Sequence, residues 1–195
     1  ARYALRAAVA RYFEQPAAGL LARLGFTPSR VTLAGLAITG GGAYFAATGA
    51  FWTAGLLNAG GALFDLLDGA LARRQNAVSR RGALLDSSAD RVAEAVVLIG
   101  LAWWYTGALS YNQTGILLAF IAFAGSMMVS YVRARAEGLG LKGTSGFLTR
   151  PERVVIMTAA LLASRPEIAL WILAIGTPLS ALHRFWVEWR AAGER

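Results

Sequence analysis

Cysteine is missing from all 195 positions, which excludes disulfide staples, a thiol nucleophile and cysteine-based zinc sites, and leaves the redox compartment open. Histidine occurs once, at His183, with no second histidine to share a metal, so interfacial packing is its expected role. Charge is sparse: 15% of residues are charged against 56% hydrophobic, and the mean hydropathy is +0.49. That balance excludes an ordinary water-soluble domain and predicts an all-α integral membrane protein. No basic patch is interleaved with exposed aromatics, so the net charge of +8 does not point to nucleic acid. Residues 1–24 contain no uninterrupted apolar core, and no secretory leader is expected there. No long linker or repeat divides the chain, so residues 1–195 read as one domain.

What is present is a series of apolar runs. Residues 1–24 space Arg2, Arg6, Arg11 and Arg23 among Leu5, Val9, Phe13, Leu20 and Leu21, with Pro16 between, the pattern of a kinked amphipathic helix in the membrane interface. A bundle of six transmembrane helices is expected over 31–187. Its spans are about Val31–Phe51, Trp52–Leu71, Ala83–Tyr105, Ile116–Tyr131, a short one from Val154 to the Ser164-Arg165-Pro166 turn, and Ile168–Val187. At ~1.5 Å per residue, about 20 helical residues cross a ~30 Å hydrocarbon core. Gly35, Gly40, Gly41 and Gly42 in the first span predict close packing against another helix. Of the 19 Lys and Arg, only Arg165 falls clearly on the outer side. The positive-inside rule then puts both termini and the loops after the second and fourth spans in the cytoplasm. Trp103, Trp104 and Tyr105 at one membrane face, and Trp186 and Trp189 at the other, read as aromatic belts.

Into this apolar frame the chain sets its four aspartates, Asp65, Asp68, Asp86 and Asp90. Spacings of three and four place each pair on one face of its helix. Four carboxylates in apolar surroundings repel one another and desolvate badly unless cations lie between them, so the stretch reads as a divalent-metal site. Asp65 and Asp90 fall at one depth, roughly 12 to 15 Å from the cytoplasmic helix ends. Ionisable residues so deep rarely face lipid, and a polar cavity open to the cytoplasm is expected there.

The full spacing is Asp65-x2-Asp68-Gly69-x2-Ala72-Arg73-x8-Gly82-x3-Asp86-x3-Asp90. At every fixed position it resembles the signature of the CDP-alcohol phosphotransferases, membrane enzymes that move a phosphatidyl group from a CDP-lipid to an alcohol and release CMP. The resemblance implies two Mg²⁺ ions, or Mn²⁺, on Asp65, Asp68, Asp86 and Asp90, with Asp90 also the catalytic base. It implies contacts to the CDP group from Gly69, Arg73 and Ser79 and from the turn of Pro28, Ser29, Arg30, Val31 and Thr32. It also implies a homodimer in the cell membrane, with the active site facing the cytoplasm.

Arg133 and Arg135 close the fourth span, Arg153 opens the fifth and Arg184 is near the inner end of the sixth. Guanidinium groups from separate spans suit a phosphorylated acceptor, which they bind through paired hydrogen bonds. The stretches SYVRARAEGLGL from Ser130 and FLTRPER ending at Arg153 are similar, within that family, to the actinobacterial phosphatidylinositol phosphate synthases. This implies CDP-diacylglycerol as donor and inositol 1-phosphate as acceptor, with Arg133, Arg153 and Arg184 in the acceptor pocket and Ser130 and Arg135 flanking it. Position 133 departs from that group, where lysine is common. Glycerol 3-phosphate is the rival acceptor, since the same arginines would hold its phosphate. A divalent-cation transporter is the rival of another class; it leaves Gly69, Ala72, Arg73 and Gly82 unexplained. Glu94, one turn after Asp90, reads as a packing or supporting residue, and Glu137 and Glu152 as partners of nearby arginines.

Overall fold

The computed structural model describes residues 14–141, 143 and 146–193. Among these the chain forms seven α-helices and no strand: α1 (Gln15–Arg23), α2 (Pro28–Ala47), α3 (Phe51–Arg74), α4 (Arg80–Trp104), α5 (Gln113–Gly138), α6 (Arg150–Leu162) and α7 (Pro166–Gly193). The expected all-helical architecture is present. Of the amphipathic helix expected over 1–24, the described part is α1. Pro16 lies in its first turn, where a missing N–H costs nothing, and so starts the helix. Residues 1–13, with Arg2, Arg6 and Arg11, lie outside the described residues.

Local chemistry sets the helix ends. Pro28 opens α2, and Gly49, at φ +82°, turns the chain towards α3. The Ser79 hydroxyl accepts from the backbone N–H of Gly82 at 3.1 Å and caps α4, and Asn112 caps α5 through Gly115 in the same way. Two helices, α5 and α7, are both long and apolar enough to cross a membrane, with mean hydropathies of 2.0 and 1.4. Helices α2, α3 and α4 have the length, at 20, 24 and 25 residues. The glycines and threonines of α2, and the aspartates and arginines of α3 and α4, lower their hydropathy.

Small residues bring the helices together. A Cβ on Gly61 of α3 would lie 2.9 Å from the Gly35 carbonyl of α2, and one on Gly100 of α4 would lie 2.4 Å from the Ala43 carbonyl. The close packing expected of the first span therefore falls on Gly35 and Gly42; Gly40 has open space in front of it. Helix α5 packs along α7 and touches α4, while α6 packs against α3 and α7. A hydrogen bond of 2.8 Å from Asn58 to Thr158 fastens α3 to α6.

The largest apolar core runs through α2, α3, α4, α5, α6 and α7 around Leu98, Leu101, Leu161, Leu170 and Leu173. A second, smaller one seats α1: Ala18 packs with Val31, Leu67, Ala70 and Leu71. Outside these cores the bundle presents large apolar side chains, among them Trp103, Phe120, Ile175 and Leu182.

Candidate active site

Helices α3 and α4 each pack along α2, and the four aspartates stand on the two helices beside the gap between them. Leu67, between the first pair, is buried in the core and Leu66 faces outward, so Asp65 and Asp68 are left on the face towards α4 and α6. Asp65 lies nine residues before the end of α3 and Asp90 ten after the start of α4, so both sit roughly 14 Å along their helices from the shared end. The matched depth predicted from spacing is what the helices produce. Asp68 is buried, and its Oδ2 accepts a hydrogen bond of 2.6 Å from the Thr32 hydroxyl of α2.

An arginine outside the predicted set stands among them. Arg150, the first residue of α6, directs its guanidinium between the two helices, ion-paired with Asp65 Oδ2 and 3.0 Å from Asp90 Oδ1. That Asp90 oxygen is buried and has no aligned hydrogen bond, and Arg150 Nε is in the same condition. Among the described residues no three acidic or histidine side chains stand arranged to hold an ion. The physical reason is visible: a guanidinium fills the space between Asp65 and Asp90, and Thr32 occupies an oxygen of Asp68.

Two unlike cavities open on either side of the cluster. The larger, about 570 Å³, is lined by Asp68 and Asp86 and extends past Gly69 and Arg73 to the α3–α4 turn. Six of the eight residues expected to hold the CDP group lie on it: Pro28, Ser29, Thr32, Gly69, Arg73 and Ser79. Arg30 and Val31 do not. Helical periodicity turns them away, and Val31 is packed in the small core with Ala18 and Leu71. Arg73 pairs at 3.5 Å with Glu14 at the start of α1, and Ser79 is engaged as the α4 cap.

The smaller cavity, about 100 Å³, is bounded by Asp90 and Glu94 on one side and by Arg133, Arg150, Arg153 and Arg184 on the other, with Ser130 in its wall. Arg135 is not on it: two residues beyond Arg133, it points elsewhere around α5 and is exposed. Arg153 is 2% exposed and meets Glu94 in a paired contact, Nε to Oε1 at 2.6 Å and Nη2 to Oε2 at 2.7 Å, while Nη1 donates to the Leu148 carbonyl at 3.0 Å. With three of its five N–H donors committed, its plane is set. Arg184, also buried, donates to the Val129 carbonyl at 2.9 Å. Gly146, at φ +113°, lets the backbone lie against that guanidinium; a Cβ there would come within 2.9 Å of Nη2. Arg133 pairs with Glu137 at 2.8 Å on the exposed side of α5.

Sequence reasoning assigned no role to Arg150 and gave Glu94 only a supporting part. One signal could have found Arg150. An arginine on the first turn of a helix opposes the helix dipole, so it needs carboxylates elsewhere to hold it there.

A helical bundle whose paired carboxylates divide a nucleotide-sized cleft from an arginine-lined pocket has the layout of a membrane group-transfer enzyme. The profile of the CDP-alcohol phosphatidyltransferase family matches residues 26–182, and the chain belongs to that family. Its members are membrane-bound transferases, and this chain is an enzyme of that kind. It is 37% identical over 183 residues to the phosphatidylinositol phosphate synthase of Mycobacteroides abscessus, covering 87% of this chain and 80% of that one. The crystal structure of Mycobacterium tuberculosis phosphatidylinositol phosphate synthase with CDP-DAG bound superposes with a TM-score of 0.84 at 31% identity, covering 91% of this chain and 94% of that one. The same enzyme in complex with manganese and citrate superposes equally well, with a TM-score of 0.84 over 91% of this chain and 89% of that one.

Proposed function

We infer that this chain moves the phosphatidyl group of CDP-diacylglycerol to inositol 1-phosphate and releases CMP. The observation that carries the reading is the position of the aspartates between two unlike cavities. The larger is within the usual ~300–1,000 Å³ of ligand clefts and adjoins the Gly69–Arg73 segment of the family signature. The smaller is lined by five arginines, Arg91, Arg133, Arg150, Arg153 and Arg184, whose guanidinium is the side-chain group best shaped for a phosphate ester. The names of the relatives favour inositol phosphate among such esters.

Asp65, Asp68, Asp86 and Asp90 are the residues that would hold two divalent cations. Their donors are all carboxylate oxygens, a hard set that suits Mg²⁺ or Mn²⁺, and the buried Asp90 Oδ1 without an aligned hydrogen bond offers one such ligand. The manganese of the Mycobacterium tuberculosis structure is consistent with this. Held there, such ions would supply the positive charge that neutralises a pyrophosphate during its displacement.

The chain's own groups do the rest. Asp90, facing the arginine-lined cavity, takes the proton of the acceptor hydroxyl as that oxygen bonds to the lipid-bearing phosphorus. The bond from that phosphorus to CMP breaks as the new one forms. Thr32 fixes the orientation of Asp68 on the nucleotide side. Glu94 fixes Arg153 on the acceptor side, where Arg133, Arg153 and Arg184 hold the phosphate.

In this reading α2–α5 and α7 cross the cell membrane, the short α6 forms the inner-starting part of the remaining span, α1 lies in the inner interface, and both termini and the site face the cytoplasm. The outward ring of apolar side chains supports immersion in lipid. Gly40, with open space before it, remains available to a second copy, and a homodimer is the expected assembly.

The test is CMP release by the purified protein with CDP-diacylglycerol and Mg²⁺, offering inositol 1-phosphate, glycerol 3-phosphate, free inositol and serine in turn. Inositol 1-phosphate should give the fastest release. No CMP with any acceptor sinks the transferase reading, and preference for glycerol 3-phosphate would replace the acceptor.

A further inference from the structure

Arg150 has no part in the reaction as described so far, yet it makes two of the five ion pairs found among the described residues. It reaches Asp65 on α3 and Asp90 on α4 at once, and it lines the small cavity beside Arg133, Arg153 and Arg184. One side chain thus touches both the carboxylates and the acceptor pocket. Its contacts are lopsided: the guanidinium is held by carboxylates, while its buried Nε has no hydrogen bond. A side chain held by charge but incompletely satisfied is poised to leave when a better cation arrives.

The neighbouring arginine behaves otherwise. Arg153 is locked by a two-point contact with Glu94 and by the Leu148 carbonyl. It cannot turn without stranding the Glu94 carboxylate, whose side chain is only 11% exposed. Arg150 can turn: Asp65 and Asp90 would both accept a divalent ion in its place, and the open space of the small cavity lies beside it.

We propose that Arg150 is the resident cation of the aspartate cluster, which divalent ions displace from Asp65 and Asp90 into the acceptor cavity, where it becomes a fourth guanidinium on the acceptor phosphate. Arg150 is then a positioning residue that couples metal loading to acceptor binding. The inference rests on the metal-site reading given above. Before metal binds, the guanidinium balances two carboxylates that would otherwise repel each other. Once it is displaced, its charge is no longer neutralised by Asp65 and Asp90 and becomes available to an anion. The acceptor phosphate is drawn in only when the site is loaded.

Mn²⁺ binding to the substrate-free protein, followed by electron paramagnetic resonance, tests the displacement without turnover. Arg150→Gln should bind Mn²⁺ about tenfold more tightly than the parent, within the range of ordinary site-to-site couplings. It should also bind inositol 1-phosphate about tenfold more weakly in saturating Mn²⁺, and Arg150→Lys should recover part of that loss. Equal or weaker Mn²⁺ binding by Arg150→Gln overturns the displacement. If Mn²⁺ binds neither protein, the metal-site reading fails and this inference with it. A measurement on the unaltered chain guards against a variant that does not fold. Modification of Arg150 by an arginine-selective dicarbonyl reagent, read by mass spectrometry, should rise severalfold when Mn²⁺ is added without substrate. A rate that is unchanged or lower counts against the proposal.

Discussion

Asp90 and Glu94 stand one turn apart on α4 and face the same cavity, yet their surroundings give them different work. Asp90 meets Arg150 through Oδ1, at 3.0 Å, and its other oxygen is left to take a proton. Both oxygens of Glu94 are engaged by Arg153. Asp90→Asn should therefore lower turnover by about 10²–10⁴-fold, the usual contribution of a general base, while CDP-lipid binding is largely retained. Normal turnover in that variant removes Asp90 from the role. Glu94→Gln strands a guanidinium whose side chain is 3% exposed. Breaking such a buried pair costs about 3–5 kcal/mol, so a clear fall in melting temperature is expected. The KM for the acceptor should rise more than that for CDP-lipid; an equal rise in both would count against an acceptor-side role.

At the scale of the element, α6 decides the shape of the site. At 13 residues it spans only ~20 Å, and its first residue already touches aspartates that lie roughly 14 Å inside α3 and α4. Starting so deep, it leaves the arginine-lined pocket above its N-terminus rather than filling it. The helix is held at that level by Asn58–Thr158 and by Leu148, which packs against the main core just before α6 begins. On the opposite side, α2 and α3 are set by glycines. Gly61→Ala would press a methyl group to 2.0 Å from Thr39 Oγ1 and 2.9 Å from the Gly35 carbonyl. The hydroxyl can rotate but the carbonyl cannot, so the helices must separate, at a cost of about 1–3 kcal/mol. Because Gly35 also abuts Asp65, the same change should weaken Mn²⁺ binding as well as thermal stability. A variant as stable as the parent would show that this contact is slack.

For the whole molecule, the missing cysteine becomes an experimental advantage, because any cysteine introduced is unique. Leu109, fully exposed between α4 and α5, and Leu139, exposed just after α5, lie at opposite ends of that helix. In sealed cells Leu109→Cys should react with a membrane-impermeant maleimide, and Leu139→Cys only after the membrane is opened. The reverse pattern would invert the orientation drawn from the arginines. In the proposed reaction the division of the site, with the larger cleft, the aspartates and the arginine pocket in turn, would put the lipid-bearing phosphorus between its leaving group and its attacker. That order is what an in-line displacement requires.

The aspartate signature carried the resemblance to the family, and composition and spacing determined the helical class and the depth of the aspartates. These depend on local periodicity and on the mean polarity of long runs, both written directly in the chain. The residues expected at the CDP group came from the resemblance instead, and six of them, Pro28, Ser29, Thr32, Gly69, Arg73 and Ser79, line one cavity. Spacing could not say which arginines converge. Arg135 has the same charge as Arg133 but points another way around α5, and Arg30 and Val31 are turned from the cleft by α2. Nor could it show Arg150 crossing to residues 60 and 85 positions earlier in the chain. Those contacts depend on where a short helix starts relative to two long ones, a tertiary distance that no local pattern encodes.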